Sequence, residues 1–469
     1  MKNLLLLLVI ISIFSCQKEV KPSHVTFNGF IENSNTNSAK ISGNGFEKLI
    51  EITDNGSFSD TLKIDKEGYY SLRIGRESTS IYLIKGKNIR LTLNANEFDE
   101  SLSYSGDIAG ENNYLAAKYL LSEKELPIDK AYSLPEDKFI IELNKINASY
   151  IDLLNSSKGI SKNFIENETK ELEYAHINNI ENYEEYYQYF TKDTSFKASK
   201  TLYNSYKEFN FADNYAFENS NAYKSLLESH YARIAKDASS NSDKDIALAY
   251  LETIDHKFPN GAVKDELMFN YLRYGMKANN ALEDVYNLYK ISNQNDENFS
   301  KVTNSYKTLT KLTPGKTSPS FNYENFKGGK TSLEDLKGKV IYIDVWATWC
   351  GPCLREIPAL KTLETDYHDK NIAFVSLSID ENKDYDKWRT MITEKKLKGI
   401  QLMADNNWKS KFVTDYGIKG IPRFIIIDID GHIVSSDAPR PSNSEIRVIF
   451  DELLLDNIER LKKKIVFYN

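Results

Sequence analysis

The stretch from Val340 to Cys353 constrains this chain more than any other. It reads Val340-Ile341-Tyr342-Ile343-Asp344-Val345-Trp346-Ala347-Thr348-Trp349-Cys350-Gly351-Pro352-Cys353. The apolar run from Val340 to Val345 is consistent with a buried strand, and the pattern from Leu354 onward is helical. Any fold that accommodates it places a C-x-x-C at a strand-to-helix junction, which is a redox signature when the surrounding pattern is βαβ. The chain has three cysteines in 469 residues, and two of them sit here.

The third, Cys16, belongs to the N-terminus. Lys2 supplies a positive start, and Leu4 to Phe14 is an apolar run. That run is too short to span a bilayer but suits a signal peptide. It ends Ile13-Phe14-Ser15-Cys16, which resembles a bacterial lipobox, and the resemblance implies that Cys16 is lipidated and anchors the chain to a membrane. A thiolate is the nucleophile such a modification needs. The alternative is an ordinary secreted chain with an incidental Cys16. Residues 1–15 are thus expected as a lipoprotein signal peptide and 16–23 as a polar tether. Gln17-Lys18-Glu19 loosely resembles the acidic surface-export tags of some Bacteroidetes lipoproteins, with a single acid. The expected location is the cell envelope, facing the periplasm, with surface display as the alternative. An exported chain whose remaining cysteines are Cys350 and Cys353 has no structural disulfides to rely on, and its one pair is free to cycle.

Net charge is −7 with both signs mixed, and this excludes nucleic acid as an expected partner, because a phosphate-binding face needs clustered Lys and Arg. Six histidines and three cysteines argue against a multi-metal protein. Residues 24–106 alternate with period two, as in Phe58–Ile64, Tyr70–Ile74 and Ile89–Leu93. That pattern predicts six to eight strands in a small antiparallel sandwich, with hairpins at Asn55-Gly56 and Lys85–Asn88. Residues 107–312 switch to helical spacing, with Val263, Leu267 and Tyr271 on one face. Eight to ten helices are expected, without a clear fixed-period repeat, although helix pairs of tetratricopeptide-like size remain open. The run Tyr183–Tyr189 reads as a helix whose aromatics pack inward while its acids face water. Thr313–Pro319, with two prolines and a glycine, reads as a linker into a last domain, 313–469.

From Gly315 onward the sequence resembles thioredoxin-fold proteins of the TlpA/ResA thiol–disulfide oxidoreductase type. The motifs are Gly315-Lys316-x-x-Pro319-x-Phe321, the Trp346–Cys353 block, Glu356-x-Pro358 and Gly420-Ile421-Pro422. An N-terminal β domain with helices before the redox domain is similar to architectures of Bacteroidetes relatives. The expected fold is therefore multidomain: a β-sandwich-like domain, an α-helical middle region and a C-terminal α/β thioredoxin fold.

Chemical roles follow from position and resemblance together. Cys350 at a helix N-terminus meets unpaired N–H groups and the positive dipole end, so its thiol is expected below the ordinary value of about 8.5 and acts as the exposed attacking sulfur. Cys353, one turn in, is the shielded resolving thiol. Gly351 and Pro352 shape the helix start and are expected among the substrate-binding residues. Trp349 is expected to shield the pair and meet the partner, and Pro358 to kink the helix. The resemblance implies that Asp344 is a buried acid that relays the proton of Cys353, and that Glu356 is a second acid near the cysteines, with a solvated helix residue as its alternative. Ile421-Pro422 is the candidate cis-proline, whose preceding residue offers backbone to substrate. Arg423 stands where threonine is common in the family.

No cofactor beyond the Cys350–Cys353 disulfide and no metal is expected. A zinc half-site lacks a second cysteine pair, and a peroxiredoxin lacks its motif. The Gly-Pro dipeptide resembles reducing thioredoxins, so reduction of protein disulfides is the expected activity. The implied partners are exported thiol proteins, apocytochrome c among them, and a membrane electron donor. Oxidase or isomerase activity is the alternative, as is a non-enzymatic binding lipoprotein with a vestigial redox domain.

Overall fold

The structure, a computed structural model, describes residues 23–124 and 127–455. The signal peptide, Cys16 and most of the tether, together with the last residues of the expected domain 313–469, lie outside them. The described residues form two compact units, one ending at His230 and one beginning at Tyr231, and the division falls within the helix Asn221–Ser242.

The first unit opens with eight strands: β1 (Val25–Glu32), β2 (Ser38–Gly43), β3 (Phe46–Glu51), β4 (Ser57–Leu62), β5 (Gly68–Ile74), β6 (Glu77–Leu83), β7 (Asn88–Asn94) and β8 (Ser103–Gly106). They form two four-stranded sheets, β4-β1-β7-β8 and β3-β2-β5-β6. Alternation works as expected: in β7, Ile89, Leu91 and Leu93 point into the core while Arg90 and Thr92 face water.

Two expectations are corrected. The sandwich is not purely antiparallel, because β1 runs parallel to β7. Neither expected hairpin pairs its flanking strands. Asn55-Gly56 joins β3 to β4 and Lys85–Asn88 joins β6 to β7, and each turn carries the chain from one sheet to the other. The hairpins within a sheet are β2–β3 and β5–β6, the latter turning at Gly75-Arg76.

Helices follow without a break in packing. Asn112 on the helix Ala109–Lys124 receives the Tyr82 N–H and donates to the Tyr82 carbonyl, at 2.8 and 3.0 Å, so it extends the β6 edge. Glu168, fully buried on Lys162–Glu181, accepts from Tyr69, from Tyr114 at 3.0 Å, and from Lys118. A buried carboxylate needs such company, since leaving its charge unpaired would cost several kcal/mol. The helix Tyr183–Thr191 departs from expectation: Tyr183 is buried, stacked on Phe139, but Tyr186, Tyr189 and Phe190 are exposed. A single helix of nine residues has one inward face, and five aromatics exceed it.

In the second unit, two helix pairs repeat. Ile246–Lys257 pairs with Ala262–Gly275, and Leu282–Ser292 with Asp296–Leu309. Tyr250 stacks on Tyr271 and Tyr286 on Tyr306, each at 3.9 Å between ring centroids, and each stack takes a matching place in its pair. The spacing of about 35 residues is that of tetratricopeptide-sized pairs. Sequence reading missed the period because identity recurs mainly at these tyrosines.

The redox domain is one seven-stranded sheet, ordered β10-β9-β13-β12-β11-β14-β15. Its strands are β9 (Asn322–Asn325), β10 (Lys330–Ser332), β11 (Val340–Trp346), β12 (Ile372–Ser378), β13 (Ile400–Met403), β14 (Arg423–Ile427) and β15 (Ile433–Ser435). The interior strand β11 is buried throughout, parallel to β12 and antiparallel to β14. Ile341, Ile343 and Val345 enter one core. Val340 and Tyr342 enter the other, with Leu360 and Leu363 of the helix Gly351–Asp366 and Ile446 and Phe450 of the helix 445–455.

The expected linker is not a free one. Gly315 N–H donates to Ile433 O and Ile433 N–H to Lys316 O, both at 2.8 Å, and Ser318 N–H reaches Gly431 O at 3.0 Å. Leu312 is part of the redox core, with Leu309 and Ala278 packed against it.

Candidate active site

The site is built where β11 gives way to the helix Gly351–Asp366. Asp380, just beyond the end of β12, fixes the connecting loop: its buried carboxylate accepts from Thr348 N at 2.9 and 3.1 Å, Thr348 Oγ1 at 2.8 Å and Ser378 Oγ at 2.7 Å. Cys350 then takes the helix N-cap position and Pro352 lies in the first turn, where a missing N–H costs nothing. Pro358 lies inside the helix, which continues to Asp366.

Cys350 and Cys353 form a disulfide. The Cys350 sulfur accepts the Cys353 backbone N–H at 3.1 Å. That bond favours negative charge on Cys350 once the disulfide opens. The Arg355 guanidinium lies 3.7 Å from where a Cβ on Gly351 would sit, a positive group on the same turn. Exposure does not separate the two cysteines as expected. Both residues are 4 % exposed. The apolar cluster that holds them closes over both, with Ile421 packed against it. Their asymmetry is in hydrogen bonding.

Ile421–Pro422 is the one cis peptide bond among the described residues. Pro422 immediately precedes β14, which pairs Arg423 with Val345 of β11, so the proline stands beside the loop leading to Cys350. Arg423 is held by Asp437 at 2.9 Å, and Asp437 also meets Lys277 at 3.2 Å, which ties the proline's neighbour to the segment between the helix pairs.

Asp344 is 9 % exposed, and its Oδ1 has no hydrogen-bond partner. Burial, followed by the charges of Glu356 and Glu364, pushes its carboxyl up to about 8. By strand alternation it faces the side of Tyr342, beneath the helix that carries Cys353. Glu356 is buried, not solvated: it accepts from Ser442 N at 3.1 Å and Ser442 Oγ at 2.9 Å, with Arg440 at 3.9 Å. Glu364, two turns further along, is pushed up to about 7, chiefly by burial.

Trp349 is 51 % exposed. It leans on Trp408, 37 % exposed, with ring centroids 6.4 Å apart. Sequence reasoning passed over Asp380, Glu364, Trp408 and Ser442. Asp380 alone carried a signal, as an acid just past the carboxyl end of a parallel strand, where α/β sites gather. As a possible metal ligand set, Asp428, Asp430 and His432 lie within 4.8 Å of one another on the β14–β15 turn. Asp428 already accepts the backbone N–H groups of the other two, so the trio reads as turn structure.

What the arrangement can do is exchange a dithiol for a disulfide: a capped sulfur in front, a second sulfur one turn in, and a protonatable acid behind. Residues 313–449 match the Redoxin family. ResA, a thiol–disulfide oxidoreductase of Bacillus thuringiensis, is 32 % identical over 127 residues, covering 26 % of this chain and 69 % of that protein. The thioredoxin-like protein YneN of Bacillus subtilis is 31 % identical over 134 residues, 28 % of this chain and 76 % of that one. Among solved structures, the thioredoxin domain of a thiol–disulfide oxidoreductase from Bacteroides vulgatus is 27 % identical and covers 30 % of this chain and 98 % of that domain, at a TM-score of 0.27. Disulfide, fold and relatives agree, and the chain belongs, through its C-terminal domain, to the TlpA/ResA-like family of thiol–disulfide oxidoreductases.

Proposed function

We propose that this oxidoreductase works as a disulfide reductase outside the cytoplasm, held at a membrane by a lipid on Cys16. The observation that carries the direction is the trio of buried carboxyls, Asp344, Glu356 and Glu364, on the inner side of the redox helix. Stabilising the reduced form makes a dithiol protein oxidising, as in the strongly oxidising members of the fold. Acids behind the pair act the other way, because they oppose a second negative charge and favour giving electrons to a partner. The Lys2, Leu4–Phe14 and Ser15-Cys16 pattern supports export and lipidation. No helix among the described residues is long and apolar enough to cross a membrane.

In this reading Cys350 attacks the partner disulfide, Cys353 resolves the mixed disulfide, Asp344 takes the Cys353 proton, and Ile421 with Pro422 presents backbone to the partner. Glu356 holds the 440–442 segment against the helix, and Gly351 and Pro352 keep the first turn open to the incoming sulfur. Substrates are exported proteins with disulfides, with apocytochrome c as one, and a membrane donor re-reduces the pair. The test is the reduction potential of the full chain equilibrated with glutathione. A value near thioredoxin's, about −270 mV, is expected, and one more positive than about −180 mV, the range of disulfide isomerases, refutes the reductive direction. Radiolabelled palmitate should enter the wild type in cells and not Cys16→Ala.

A further inference from the structure

Beneath the redox helix, Asp344 opens onto a narrow cleft. It is lined by Trp346 from β11, Ile357, Leu360, Lys361 and Glu364 from the helix, Ser376 from β12, and Leu397, Lys398 and Gln401 at the start of β13. Three of these lining groups carry a buried polar atom without a protein partner: Asp344 Oδ1, Trp346 Nε1 and Gln401 Oε1. Buried polar atoms are rarely orphaned, and three in one cleft call for a common partner. They offer one donor and two acceptors, the complement of a single water molecule. The cleft leaves about 10 Å³ for the centre of such a molecule, near the lower limit for one water.

Glu364 lines the same cleft, beside the two lysines. It feels the opposite charges of Lys361, half-buried, and Lys398, exposed, and is itself felt by Asp344. Lys361 is fixed by donating to the Lys395 carbonyl. Gly399, at φ +66°, lets the carboxylate approach: a Cβ there would meet Glu364 Oε1 at 2.8 Å and Phe374 O at 2.9 Å. The charged and titratable groups that face Asp344 are thus Glu356, Glu364 and Lys361 on the helix, Lys398 before β13 and Tyr342 on its own strand.

We propose that this cleft is the proton exit of the redox centre: one water held by Trp346, Asp344 and Gln401 hands the proton of Asp344 to Glu364, which releases it to solvent. The proposal rests on the dithiol cycle described above. In resolution, the Cys353 sulfur bonds to Cys350 and the bond from Cys350 to the partner sulfur breaks. The electron pair leaves on the partner thiolate, and the Cys353 proton moves to the ionised Asp344. Asp344 then returns to its ionised form by passing that proton through the water to the Glu364 carboxylate, and Glu364 loses it to bulk water. Glu364 touches neither substrate nor sulfur, so it is a positioning residue for the proton.

The experiment mixes the reduced full chain with an aromatic disulfide whose thiolate is coloured and stays unprotonated at neutral and higher pH. It is run at about pH 9, above the Asp344 value, with a pH indicator in dilute buffer. In the wild type one proton should appear in step with the second coloured thiolate. In Glu364→Gln the proton should lag that thiolate by about fivefold or more, and added imidazole should abolish the lag. Gln401→Leu, which leaves the Glu364 charge in place, should show the same lag and decides the matter if Glu364→Gln does not fold. Protons that keep pace in both variants, or a lag that imidazole does not change, overturn the proposal while leaving the oxidoreductase reading intact. A wild type that fails to reduce the reagent overturns both.

Discussion

Asp344→Asn should make the redox domain more stable and less active at once. The sign follows from the direction of the shift. A carboxyl whose value rises from 3.8 to about 8 on folding binds its proton more tightly in the native state. Its contribution is therefore intact below about pH 4 and is lost progressively as pH rises to about 8. At pH 7 about three of those units have been crossed, and at 1.36 kcal/mol each the native state has given up about 4 kcal/mol. Asparagine keeps the shape and never ionises, so it should recover a good part of that. The gain should shrink toward zero near pH 4. All four tryptophans of the chain, Trp346, Trp349, Trp388 and Trp408, lie in the redox domain, so urea unfolding followed by tryptophan fluorescence reports on that domain alone. Comparing midpoints at about pH 7.5 and about pH 4.5 gives the difference directly. A gain that is the same at both pH values, or no gain at pH 7.5, would refute burial as the cause of the shift. The same variant should resolve mixed disulfides more slowly than it forms them. Such opposition of stability and activity is usual where a buried charge is kept for function.

Cys353→Ser should accumulate mixed disulfides with exported proteins, visible as reducible high-mass species, and Cys350→Ser should not; equal trapping by both would reverse the assignment of attacker and resolver. Gly399→Ala should cost about 2 kcal/mol or more, from a left-handed backbone and the contact with Glu364 and Phe374, read as a lower urea midpoint. Glu168→Ala strands Lys118, Tyr69 and Tyr114 and should cost about 3 kcal/mol, seen as a lower melting temperature by circular dichroism.

The redox site was legible because its parts are tied to residue type. A sulfur that must cap a helix is a cysteine followed by residues a first turn tolerates, and a cis bond is a proline. These choices are local and therefore visible in Cys350–Cys353 and Ile421-Pro422. Asp344 stood out because an acid has no place on an apolar strand without a reason. The sandwich was only partly readable, since Asn55-Gly56 specifies a tight turn and says nothing about which sheet the next strand joins. Register and partner choice come from the packing of Phe27, Ile41, Leu72 and Leu91 between sheets, which no short stretch encodes. Glu364, Gln401 and Ser442 were invisible for the same reason: each gains its meaning from a neighbour on another element. The exposure expected for Cys350 failed because it was argued from its place on the helix alone, and the cover is supplied by an apolar cluster drawn from several elements, with Ile421 of the loop before β14 packed against it.

The pairing of Gly315 and Lys316 with Ile433 bears on how this chain can be cut. A strand such as β15 at the end of a sheet presents open N–H and C=O groups, a template for pairing with another molecule. Residues 315–318 occupy that edge, so they act as a cover strip. A fragment begun at Ser320 would leave the edge bare and should self-associate. One begun before Leu312 keeps both the strip and a core side chain in place.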